Sequence, residues 1–121
     1  MAWVSLAGLT LVLWGACGAV IAVGRQVGSI DTTLRVHLVA APVLAFLVSV
    51  VHVWLAPHFD PALRAALMTG LVIVLDAVVV APIFERSYDM FRSPIGTWIP
   101  FVLIFIASLA AGMALPVWGA I

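Results

Sequence analysis

Residues 62–83 read ALRAALMTGLVIVLDAVVVAPI. About 20 predominantly apolar residues suffice for a helix to cross the hydrocarbon core of a bilayer, and this run has that length. It carries one interior charge, Asp76, between Arg64 and Glu85. A carboxylate near the centre of a membrane costs about 2.5–3.5 kcal/mol on insertion scales. The helix therefore needs neighbours that let Asp76 face inward and give it either a proton or a donor. An isolated span of this kind is not expected.

Three further windows meet the same criterion, at residues 2–24, 36–55 and 99–117. The connections at 25–35, 56–61 and 84–98 are short, so consecutive helices are expected to be antiparallel neighbours. The predicted fold is an all-α integral membrane protein, an up-down bundle of four transmembrane helices with short loops, forming one domain over residues 1–121. Composition agrees. Of 121 residues 66% are hydrophobic and 8% charged, and mean hydropathy is +1.32, whereas soluble domains have about 45–50% apolar and about 25% charged residues.

Formal net charge is zero and lysine is absent. A chain without a basic patch is not expected to bind nucleic acid. The single cysteine, Cys17, excludes an intrachain disulfide and a Cys-based zinc site; among Gly15, Ala16 and Gly18 it reads as a small packing residue. The first run has no charge before Arg25, so it reads as a retained helix and not as a cleaved signal, which opens with a positive segment.

Local signals place the helix ends. Asp31 or Thr32 is positioned to cap helix two. Asp60 followed by Pro61 reads as an N-cap and a first-turn proline for helix three. Thr97 and Trp98 stand at the entrance of helix four, with Pro100 in its first turn. Pro42 interrupts helix two and frees the carbonyl of Leu38. Small residues four apart, Gly15/Ala19 and Gly18/Ala22 in helix one and Ala107/Ala111 and Ser108/Gly112 in helix four, permit close backbone approach, within the chain or between copies of it. Tryptophans 3, 54, 98 and 118 fall near helix ends, as an interfacial aromatic belt does; Trp14 lies mid-helix. Arg25, Arg35, Arg86 and Arg92 fall on loops one and three, against Arg64 alone on the other side. The positive-inside rule then puts loops 25–35 and 84–98 in the cytoplasm and both termini outside.

The chemistry points first to Asp76, an intramembrane acid and so a candidate site by default. His37, near the cytoplasmic start of helix two, is its expected partner. Thr97 or Tyr88 would lie above them. The cluster Glu85, Arg86, Tyr88, Asp89 and Arg92 reads either as a salt-bridged interfacial turn or as the mouth of the site. The leading function is binding or translocation of a small solute or proton through Asp76. Three other readings stay open. One is a structural accessory subunit of a larger membrane complex, which like the first would have lipid and a homo-oligomeric or heteromeric partner around it. Another is a redox protein: His37 and His52 are fifteen residues apart, about 22 Å along a helix, and a homodimer would place two such pairs around haem b. The last is a small enzyme acting on a lipid-like substrate with Glu85, Asp89 and His37. No cofactor is expected under the leading reading, and no metal.

Overall fold

The computed structural model describes residues 2–114 and, within them, every side chain but those of residues 84, 85, 95 and 96. The described chain is all-helical. α1 spans Ala2–Val27, α2 Ile30–Leu55, α3 Pro61–Leu75 and α4 Ile99–Ala114. α3 does not stop at Leu75. It continues through Asp76–Glu85 in a wider π-helical winding that contains Pro82, a residue without the N–H that an ordinary α turn requires. Arg86, at φ 55° in the left-handed region, closes it. This is the position where helices usually place glycine. A short 3-10 turn, Asp89–Arg92, and a π turn, Pro94–Trp98, lead into α4.

Three helices, Ala2–Val27, Ile30–Leu55 and Pro61–Ile83, are long and apolar enough to cross a membrane; Ile99–Ala114 is a shorter apolar helix. The end of helix four predicted at residue 117, and Trp118, lie outside the described residues.

The second helix begins six residues before its predicted start at 36. Asp31 is not its cap. Ser29 is, its hydroxyl accepting from the backbone N–H of Thr32 at 3.2 Å. The predicted loop 25–35 shrinks accordingly to Gly28 and Ser29, because a serine two residues earlier satisfies the same free donors. Asp31 instead pairs with Arg35 on the exposed surface of α2, at 3.6 Å. The other signals appear as expected. Asp60 accepts from the N–H of Leu63 at 2.8 Å with Pro61 in the first turn. Thr97 donates to the carbonyl of Met90 and Trp98 to that of Phe91, which ties the linker to the start of α4.

Two of the three consecutive helix pairs are neighbours, and α2 and α3 are not. α1 packs on α2, α2 on α4 and α4 on α3, with a lighter contact between α1 and α3. α4 thus lies between α2 and α3, which corrects the expectation that those two consecutive helices pack side by side. The cause is visible in the small residues. Ala41, Ala45 and Ser49 of α2 are fully buried at four-residue spacing, and Ser108 and Ala111 of α4, three apart, are fully buried too, so these two helices approach closely. Ser49 donates to Ser108 at 2.8 Å across that seam.

The core is mainly apolar, with Leu6, Leu13, Met68, Phe101 and Ile104 in it, but it also holds polar side chains, and much of the exterior is apolar. Thr10, Thr33, Ser49, His52, Arg64 and Ser108 are buried, while Val12, Val39, Leu47, Val78, Val102 and Ile106 are exposed.

Candidate functional site

A cavity of about 610 Å³ occupies the half of the molecule near Arg25, Ile30 and the linker into α4. α1 contributes Trp14, Cys17 and Gly18 to its lining, α2 His37, the α3 extension Asp76 and Val80, and the linker and α4 Thr97 and Phe101. Most of its wall is apolar. One chain thus holds a ligand-sized cavity, typical small-molecule pockets being about 300–1,000 Å³.

A Cβ built on Gly15 or Gly18 meets no atom within 4 Å. Within the chain these two glycines do not bring α1 against a neighbouring helix; they leave open volume on the side where they line the cavity. Gly24, further along α1, does the opposite. A Cβ there would stand 2.5 Å from Cγ2 of Thr33, so α1 and α2 close on each other at that point.

Asp76 sits at the first residue of the π-helical segment. Trp14 Nε1 donates to its Oδ1 at 3.0 Å, across 62 residues of sequence. Trp14 is the partner that sequence reasoning missed. Its mid-helix position was the available signal, since a tryptophan away from the interface needs a destination for its N–H. His37 lines the same cavity. It is 7% exposed, and its Nδ1 is buried without a hydrogen-bond partner among the described residues. Asp76 and His37 therefore share a cavity, as expected, but the donor on the acid is the indole. Thr97, 3% exposed, also lines it.

The charged cluster of the third connection stands apart. Arg86, Tyr88, Asp89 and Arg92 are exposed and are not among the lining side chains. Asp89 and Arg92 form an ion pair at 3.8 Å in solvent, the interfacial-turn arrangement. Such a pair adds at most about 1 kcal/mol. Tyr88 stacks on Phe91, with ring centroids 6.3 Å apart. The side chain of Glu85 lies outside the described residues. The linker residues that reach the cavity are Met90, Ser93 and Thr97.

A second polar cluster lies at the opposite end. Arg64 is 1% exposed. Its Nε donates to Nδ1 of His52 at 2.8 Å, and its Nη2 to the carbonyls of Ala56 at 3.1 Å and Phe59 at 3.4 Å. Because the guanidinium only donates, His52 Nδ1 is the acceptor. The ring proton is then on Nε2, which donates to the carbonyl of Ala2 at 3.0 Å. The ring of Phe59 packs under Arg64 at 5.6 Å and against His52 at 5.1 Å. α4 passes so close that a Cβ on Gly112 would stand 2.8 Å from both Arg64 Nη1 and Pro61 Cβ. Arg64 is the centre of a knot joining α1, α2, α3 and α4. With both ring nitrogens engaged, His52 offers no lone pair to a haem iron in this arrangement. No group of three or more His, Cys, Asp or Glu side chains that could hold a metal ion occurs among the described residues.

Comparison with known proteins finds no matching family model, no similar curated protein and no similar solved structure.

Proposed function

We propose that this chain is an integral membrane protein, an up-down bundle of four transmembrane helices in one domain, that binds or translocates a small solute or proton through the cavity at Asp76. The observation that carries this reading is the coincidence of a ligand-sized cavity with the one acid deep in the apolar sequence. Membrane insertion is supported by three sufficiently long apolar helices and by the many large apolar side chains on the exterior. The arginine distribution supports a cytoplasmic location for residues 25–35 and 84–98, with the termini outside, so that the cavity lies in the cytoplasmic half.

The unpartnered Nδ1 of His37 and the open space beside Gly15 and Gly18 favour binding over a purely structural role. A bundle that served only as an accessory subunit would gain stability by filling that space and satisfying that nitrogen.

The test is proton flux into proteoliposomes, followed with an entrapped pH-sensitive dye after an acid jump. Wild-type protein is expected to conduct above empty liposomes. Asp76→Asn, close in size and unable to ionise, is expected to fall at least tenfold toward that background while keeping its helical circular dichroism and its thermal midpoint. Wild-type flux from a folded Asp76→Asn protein would contradict the reading.

A further inference from the structure

We propose that the cavity is a site for a small organic cation with an apolar body, its charge held by the Asp76 carboxylate. The inference rests on the binding reading above and specifies the ligand's chemistry.

Two features of the cavity determine that chemistry. The first is an unfilled acceptor. An ionised carboxylate offers about four lone-pair sites, and the described donor to Asp76 is a single indole N–H. No other acid among the described residues lines the space. A carboxylate in an apolar environment is stable only when protonated or met by positive charge. A cationic ligand supplies that charge.

The second feature is the wall. Leu13, Ile21, Val72, Phe101 and Ile104 are apolar, and Gly15 and Gly18 keep the α1 side open. Such a surface stabilises a hydrocarbon body by removing it from water. Trp14 and Phe101 add aromatic rings, which attract cations through their faces.

Other ligand classes fit less well. Calcium takes six to eight oxygens and magnesium near-ideal octahedral geometry, and the lining is too poor in oxygen for either. An organic anion would have to lie against the Asp76 carboxylate. Arg25 also lines the cavity, but it comes eleven residues after Trp14, about 16 Å along the helix axis, and so belongs to the rim.

The test is isothermal titration of the purified, detergent-solubilised protein with two water-soluble probes of similar size and opposite charge, benzyltrimethylammonium and benzylsulfonate. Wild-type protein is expected to bind the cation saturably and the anion at least tenfold more weakly. Asp76→Asn is expected to lose at least tenfold in affinity for the cation. Gly18→Leu, which fills the wall and leaves the acid in place, is expected to weaken it similarly, and it decides the matter if Asp76→Asn does not fold. Equal or tighter binding of benzylsulfonate moves the site to Arg25 and overturns the inference. So does cation binding that survives Asp76→Asn or, where that variant is unfolded, Gly18→Leu. If neither probe binds while Asp76→Asn still abolishes proton flux, the cation inference fails and the broader reading stands. Unchanged flux removes the broader reading itself.

Discussion

The two ends of this bundle solve opposite problems with the same residue types. At the end holding α2's C-terminus and α3's N-terminus, Arg64 and His52 are locked by hydrogen bonds, and Gly112 lets α4 close over them. At the other end, Asp76 and His37 face open volume, and Gly15 and Gly18 keep it open. Each end has a histidine, a charged residue and glycines. In one the glycine removes space, in the other it preserves it. The Arg64 guanidinium ties helices together through Nε and Nη2, while its Nη1 is buried without a partner among the described residues. A buried charge beside a cavity is available to a ligand.

The contrast can be broken by mutation. The largest loss of stability is expected for Arg64→Ala. It removes three hydrogen bonds and takes their donor from Nδ1 of His52 and from the carbonyls of Ala56 and Phe59, of which Ala56 keeps the N–H of Phe59. Hydrogen bonds to charged groups contribute about 1.5–3 kcal/mol each before non-additivity, so a loss on the order of 3 kcal/mol should appear in detergent unfolding curves. Next comes Gly112→Ala, whose methyl would collide with Arg64 and with Pro61. Overpacking of this kind costs about 1–3 kcal/mol and should lower the thermal midpoint by several degrees. Ser49→Ala removes the buried bond to Ser108 and should cost about 1 kcal/mol. Gly15→Ala, at the hollow end, has nothing to meet. There the helix preference of alanine over glycine, up to about 1 kcal/mol, should leave stability equal to or slightly above wild type. If Gly15→Ala were as damaging as Gly112→Ala, the two ends would not differ as described.

Much of this was readable in the residues, and the failures have specific causes. Apolar run length located four helices, and Asp60, Thr97 and Pro100 marked their ends correctly, because caps and prolines act locally. The start of α2 was misplaced because Ser29 competes with Asp31 for the same backbone donors. The order of the helices around the bundle was not legible, since it depends on how Ala41, Ala45 and Ser49 fit Ser108 and Ala111. Asp76 was identified by its cost in an apolar setting, and its need for a donor followed. That the donor is Trp14 could not follow, because the two meet only through the packing of α1 near α3. Arg64 was legible only in the count of arginines on each side; its part in joining the helices was not, because Phe59 and α4 come to cover it only in the fold.

The central claim is that the hollow half is functional, and it is tested most directly by filling that half without touching a polar group. Gly15→Leu combined with Gly18→Leu places apolar side chains in the cavity and leaves Asp76, His37 and Trp14 in place. Proton flux in proteoliposomes is the measurement, taken beside thermal denaturation of the same preparation. The filled protein is expected to stay folded, with a midpoint no lower than that of Gly112→Ala, and its flux to fall to that of empty liposomes. Wild-type flux through a folded, filled protein would contradict the account.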